Sequence, residues 1–299
     1  MRRIPSVAVL LGLAAFAAAT PATAQIGDWI PESRTGGKLI LTGGVSTIEG
    51  SGGGGLATWA VTSGYGERDG IGGNVHATYV NLPDYELRSW GAAASFWDRV
   101  EVSVARQEFD TGATGAALGL GAGFTFTQDI VGVKVKLIGD AVYDQDTWLP
   151  QVAVGVQHKS NDQGAVIAAV GGRDDEGTEY YVAATKLFLA ESLLVSGAVR
   201  FTNANQTGLL GFGGDLNDDL EPQFEGSVGY LLNRNLAIGA EYRTKPDNLG
   251  FAGEDDWFDV FAAWAPNRHF SVTAAYVDLG SIATFEAQRG LYLSLQVGF

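Results

Sequence analysis

Apolar and polar residues trade places with a period of two along most of this chain. Val100, Val102 and Val104 alternate with Glu101, Ser103 and Ala105, and Val131, Val133, Val135 and Leu137 alternate around Lys134 and Lys136. Val152, Val154 and Val156 stand against Gln151, Gly155 and Gln157, and Leu193, Val195, Val199 and Phe201 against Ser196, Arg200 and Thr202. Further on, Phe224, Val228 and Tyr230 oppose Gln223, Glu225 and Ser227, while Leu236, Ile238 and Tyr242 oppose Glu241 and Arg243. Phe270, Val272 and Tyr276 then oppose Ser271 and Thr273. Such a period belongs to strands whose two faces meet different surroundings. The cleanest case is the last stretch, where Leu291, Leu293, Leu295, Val297 and Phe299 share one face and Tyr292, Ser294, Gln296 and Gly298 the other.

From Lys38 onward these segments are roughly ten residues long, the length a tilted strand needs to cross a bilayer. A soluble sandwich with its apolar face inside and a membrane barrel with its apolar face outside write the same alternation. Two features favour the barrel. The polar faces are rich in Gly, Ala, Ser and Gln as well as charges, as a lumen wall would be. Aromatic residues fall at strand ends, in Phe96-Trp97, Trp264, Tyr242, Tyr276 and Phe299, where an interfacial girdle would sit. The final strand resembles the C-terminal signature of Gram-negative outer-membrane barrels, a terminal Phe preceded by apolar residues at alternating positions. That resemblance implies that Leu291, Leu293, Leu295, Val297 and Phe299 are read by the barrel-assembly machinery. The expected fold is all-β: a single transmembrane antiparallel up-and-down barrel of about 16 strands, or 12 to 14 if residues 64–84, 117–127 or 164–172 are assigned differently.

The N-terminus changes the address. Arg2 and Arg3, the apolar run Val7–Ala19 and Ala22-Thr23-Ala24 form a signal peptide, residues 1–24. Residues 25–37, without a period, are expected to be a periplasmic tail, leaving 38–299 as the barrel and the outer membrane as its location. Tight turns at Asp98-Arg99, Ala190-Glu191, Asn233-Arg234 and Pro266–Arg268 alternate with longer polar segments, among them Thr111–Ala116, Gly139–Trp148, Gly172–Thr178, Asn203–Glu221, Thr244–Asp255 and Gly280–Gln288. Short periplasmic turns and long external loops produce that asymmetry. Glu49–Gly55, with four consecutive glycines, reads as a flexible hairpin loop, because a phosphate cradle would need a following Lys-Ser/Thr and a helix. No stretch reads as a separate plug.

Composition narrows the chemistry. There is no Cys, so thiolate sites and disulfides are excluded. Removing Arg2 and Arg3 from the 19 basic side chains leaves 17 against 34 acidic ones, a formal charge of −17 that repels nucleic acid. His76 and His269 are expected toward the lumen and His158 near a periplasmic strand end; none has metalloprotease spacing. No Ser lies in a G-x-S-x-G context, so neither catalytic nor metal-ligating residues are assigned, no cofactor is expected, and the protein is not expected to be an enzyme. A cross-strand lipase-type dyad is the minor alternative. Acidic loops (Asp140, Asp144 and Asp146; Asp174, Asp175 and Glu176; Asp215, Asp218 and Asp219; Glu254, Asp255 and Asp256) are either solvated surface or weak sites for Ca²⁺ or Mg²⁺. Lipid and lipopolysaccharide are the other expected partners.

The residues that project to the polar face are Glu101, Lys134, Lys136, Arg200, Glu225, Glu241 and Arg243. In a 16-stranded barrel they would line a hydrated pore, whereas in a 12-stranded one they could close it. Gly36–Gly44, Ala105–Gly112 and Gly139–Pro150 resemble the proteobacterial family catalogued as domain of unknown function 3034, a likeness that carries no activity and no functional residues with it. The expected function is a porin-like channel or transporter for small polar solutes. The alternative is a non-conducting structural or surface-interaction barrel with acidic external loops, which predicts a closed lumen.

Overall fold

The structure is a computed structural model that describes residues 38–43 and 45–299. The expected signal peptide (residues 1–24) and periplasmic tail (25–37) lie outside the described residues. Twelve antiparallel strands close into one barrel: β1 (Ile71–Asn81), β2 (Glu86–Phe96), β3 (Val100–Asp110), β4 (Thr125–Ile138), β5 (Gln151–Asn161), β6 (Glu176–Phe188), β7 (Leu193–Thr202), β8 (Glu221–Asn233), β9 (Leu236–Arg243), β10 (Trp257–Asn267), β11 (Phe270–Asp278) and β12 (Arg289–Gly298). Each strand pairs with its neighbour in sequence, and β1 closes on β12 from Asn74↔Gly298 to Asn81↔Leu291.

The alternation resolves in favour of the barrel because it is inside out. Val102 and Val104 are 41% and 49% exposed on the outer surface, while Glu101 and Ser103, alternating with them, are buried at 1% and 2%. Outward positions of the other strands are likewise apolar, including Val131, Val182, Val228, Val260, Leu293 and Val297. A water-facing protein would not leave a continuous apolar band uncovered; lipid is the medium that suits it. Among the described residues no helix is long and apolar enough to cross a membrane.

The count of about 16 strands is corrected to twelve. Three assignments account for the difference. The described residues of 38–70 contain no ladder strand, only isolated bridges such as Ser46↔Gly52 and Gly53↔Thr58. The 117–127 region holds the end of a one-turn helix α1 (Thr114–Ala117) and a glycine-rich loop before β4, and 164–172 begins with helix α2 (Gly164–Ala169). One rim, here called the closing rim, carries Phe299 and the short turns 97–99, 189–192, 234–235 and 268–269. The opposite loop rim carries 111–124, 162–175, 203–220, 244–256 and 279–288. The connection 139–150, of which Gly139–Trp148 is read above among the longer, external segments, belongs to the closing rim, because β4 runs toward the same end as Phe299.

Residues 45–65 form a segment that enters the barrel from the closing rim, doubles back around Glu49 and Gly50 (Ser46↔Gly52) and again around Gly55 and Leu56 (Gly53↔Thr58), and returns. They are buried except Gly54 and Gly55, which are half-buried. A plug is thus present where the sequence showed none. Tyr65 N–H and Gly73 N–H both donate to the Phe299 carbonyl, at 2.8 and 3.0 Å, which ties the exit of the segment to the end of the closing strand.

Candidate functional site

With one face of every strand in lipid, the other must satisfy its charges inside. A buried charge is tolerated only when it is paired and hydrogen-bonded. The inner wall meets that demand with the internal segment. Glu49 Oε1 sits 2.6 Å from Lys159 Nζ of β5 and 3.0 Å from Arg243 Nη2 of β9, and Glu49 Oε2 lies 3.7 Å from Arg200 Nη2 of β7. Glu179 of β6 is 2.6 Å from Lys159, and Glu225 of β8 is 2.6 Å from Arg200 Nε. Three carboxylates therefore balance three cations, but only when Glu49 is counted, and Glu49 is the one member not on the wall. Burial opposes ionisation of Glu49, yet Arg243, Lys159 and Arg200 outweigh it and hold its carboxyl far below the usual carboxylate range.

The remaining wall charges bind the segment's backbone. Glu101 of β3 accepts the Gly52 and Ser63 N–H groups at 3.0 and 2.6 Å. Lys134 of β4, 3.2 Å from Glu101, donates to the Gly52 and Val61 carbonyls at 2.8 and 3.0 Å. Glu225 accepts Thr58 N–H at 2.7 Å and Glu241 accepts Leu56 N–H at 2.6 Å. Neutral wall residues complete the set, with Thr185 and Gln151 on Ala60 and with Ser89 and Gln107 on the Ile48 carbonyl. A segment without regular structure has unsatisfied backbone groups at every residue; here the wall supplies their partners.

This contact explains the glycine run. A Cβ on Gly54 would fall 1.7 Å from Glu241 Oε1, and one on Gly52 would fall 2.9 Å from Glu101 Oε2. The run is a tight fit to wall carboxylates, and the flexible hairpin loop read from the sequence is corrected accordingly. Glu241 and Asp259, partners across β9 and β10, have no ion-pair partner among the described residues, in contrast to the carboxylates around Glu49.

Both rims are closed over the segment. At the closing rim Asp98 lies 3.1 Å from Lys38 and 2.6 Å from Lys136. Burial disfavours its charged form, but those two lysines hold its carboxyl below the ordinary range. Ala141 and Val142 pack in the mouth with Leu41, Val45 and Trp59. At the loop rim Leu209, Leu210, Leu249, Leu279 and Ile282 cover Ile48 and Leu56 of the segment. Lys245 braces that roof, 2.9 Å from Glu254, 2.9 Å from Gln206 Oε1 and 5.1 Å from the Trp257 ring centroid. Thr207 is held at φ 59°, a strained conformation for a β-branched residue, and its carbonyl accepts from Lys159 at 3.0 Å.

Glu101, Lys134, Arg200, Glu225, Glu241 and Arg243 are therefore buried on the inner face against the segment, and Lys136 is buried at the closing rim. What sequence reasoning missed is Glu49, Lys159 and Glu179. Lys159 and Glu179 were open to the same period-two reading as their neighbours; Glu49 carries no periodic signal. Leu291, Leu293, Leu295, Val297 and Phe299 all face outward. His76 is buried on the inner face, with Nε2 3.5 Å from Ser89 Oγ, a hydroxyl spent on the Ile48 carbonyl. His269 is corrected from the lumen to the β10–β11 turn, where Nδ1 meets the Gly298 carbonyl at 2.9 Å. His158 is corrected to the loop-rim half of β5, on the outer face beside Thr178. Among the described residues no three His, Cys, Asp or Glu side chains are grouped to hold a metal ion. Acidic loop residues brace the loops themselves: Asp215 accepts Gly250 N–H, Asp255 accepts Ser281 N–H and Oγ–H, and Asp140 accepts Val142 and Tyr143 N–H.

Fold and interior together define a twelve-stranded, up-and-down barrel with an apolar outer band and a lumen filled by its own N-terminal segment. The chain belongs to the family described as Protein of unknown function (DUF3034), whose profile matches residues 42–296. No curated protein matches the sequence. Among solved structures, a KdgM porin in complex with disordered oligogalacturonate superposes with a TM-score of 0.50 at 10% identity, covering 76% of this chain and 99% of the porin. A NanC porin gives 0.48 at 12% identity, covering 76% of this chain and 98% of its own, and outer membrane phospholipase A from Escherichia coli gives 0.42 at 10% identity, covering 75% and 89%. At these identities the likeness is one of barrel fold.

Proposed function

We propose that this protein is an outer-membrane barrel whose resting form is closed to solutes by residues 45–65, the non-conducting member of the two function classes read from the sequence. The observation that carries this reading is Glu49, the internal carboxylate that balances the wall cations Lys159, Arg200 and Arg243. A wall built to line an open pore would present its charges to water; this wall spends them on one segment of its own chain. In this reading the closing rim is periplasmic, the external loops form the exposed working surface, and the apolar face of β12 is the assembly signal. Enzymatic hydrolysis is not favoured, because the His76–Ser89 pair is buried beneath the segment.

The test is conductance in planar bilayers. Full-length protein should insert without steady pores, whereas Glu49→Gln should raise the frequency of openings at least severalfold. Steady porin-like conductance of the unaltered protein would sink the proposal. A second reading, a gated solute channel, draws on one observation: the segment enters and leaves by the same rim, so it can withdraw without breaking a strand. Voltage- or ligand-dependent opening of the unaltered protein would favour it.

A further inference from the structure

The closing rim breaks its own rule once. The other short connections there are two to four residues, but 139–150 is long and divides its residues between two media. Ala141 and Val142 pack into the barrel mouth. The second half lies on the outer wall, where Lys186 of β6 donates to the Asp144 and Leu149 carbonyls and Trp148 packs on Phe188 with ring centroids 5.5 Å apart. Trp148 is 84% exposed, at the level where the lipid-facing band ends. Tyr and Trp favour that level because one end of the ring is apolar and the other wet.

Between this loop and the β2–β3 turn is a cleft of about 720 Å³. Its apolar wall is Trp97, Leu137, Ile138 and Leu149, all outward-facing and continuous with the membrane band. Its polar side holds Arg68 and Arg99, both exposed and without an ion pair among the described residues. The other cation, Lys136, is held by Asp98. Of the three carboxylates, Asp98 is paired with Lys38 and Lys136, and Asp140 is paired with Lys136 and accepts backbone N–H groups. Asp144 is the one left to oppose an anion. Trp97 and Asp98 have φ values of 57° and 48°, left-handed positions of the three-residue 97–99 turn, in which Arg99 N–H donates to the Phe96 carbonyl at 3.0 Å; this fixes where Trp97 projects and places Arg99 beside it.

We propose that this cleft binds an anionic phospholipid of the adjoining leaflet. The phosphate lies against the Arg68 and Arg99 guanidinium groups and the acyl chains run along Trp97, Leu137 and Ile138. Arginine offers paired N–H donors matched to a phosphate, and the pairing strengthens beside a low-dielectric surface. The proposal rests on the membrane placement above but not on the closed lumen.

The test uses full-length protein carried from nanodiscs into native mass spectrometry, with phosphatidylglycerol and phosphatidylcholine of identical acyl chains in equal amounts. Retained phosphatidylglycerol should exceed phosphatidylcholine about fivefold or more. Arg68→Ala with Arg99→Ala should bring the ratio to parity, and Asp144→Asn should raise it. Equal retention by the unaltered protein, or a ratio unmoved by the double substitution, overturns the proposal. So does displacement of the lipid by millimolar inorganic phosphate, which would reduce the site to a bare anion contact. Tighter lipid retention by a chain starting at residue 38 would also overturn it, since the cleft would then belong to the protein's own N-terminal residues. Heat-modifiable migration and flotation with vesicles check that each variant is folded and inserted. Failure to float is the separate result that would overturn the membrane reading itself.

Discussion

At the scale of single residues, Glu49 has the largest consequence. Without it Lys159, Arg200 and Arg243 face only Glu179 and Glu225, and one buried positive charge is left over. Breaking a buried charge network by removing one partner costs about 3–5 kcal/mol, so Glu49→Ala should lower the thermal midpoint of barrel unfolding, read by heat-modifiable migration. The pH dependence follows from the direction of its shift. A carboxyl held below its usual value in the seated segment contributes stability that is complete above the ordinary Glu range of about 4.3. That contribution is lost only as pH falls below that range toward the depressed value. Bilayer conductance should therefore stay closed from pH 8 to about 5 and open only in stronger acid; opening between pH 6 and 7 would contradict the assignment. The wall half of this site was legible in sequence, because Glu101, Arg200, Glu225 and Arg243 alternate with apolar neighbours. The segment half was not. Glu49 lies 110 positions from Lys159 and 194 from Arg243, and no local pattern records such a meeting.

At the scale of elements, the strands that face lipid and wall were readable, and those that do not exist were the errors. Residues 38–64 have the length of two membrane-crossing strands joined across Glu49–Gly55, which is why the sequence reads as a hairpin there. Their backbone groups find partners on the wall, so no ladder forms. Loop length alone does not give the side: Gly139–Trp148 is long yet lies at the closing rim. The loop-rim roof offers a separate test. Lys245→Ala removes its contacts to Glu254, Gln206 and Trp257 together, and should raise amide exchange in 203–220 and 244–256 at least severalfold. Exchange within β1–β12 should stay unchanged, because the strand ladders do not depend on that lysine. Uniform exchange gains across the barrel would mean that Lys245 supports the whole fold.

At the scale of the molecule, the interior is packed much as a soluble core is packed, with polar contacts in place of most apolar ones. A twelve-stranded wall can be filled by its side chains and one inserted segment. The sequence carried that closed alternative but not the means of closure. The bond from Tyr65 to the Phe299 carbonyl has a consequence for how the molecule comes to exist. The residue that completes the ring also fastens the neck of the segment inside it, which predicts that the segment serves as a mandrel around which the sheet is wound. Order of assembly then matters as much as affinity. A peptide spanning residues 38–66, added to a chain that lacks them, should raise the yield of heat-modifiable barrel when present during refolding. The same peptide should do nothing once the ring has shut.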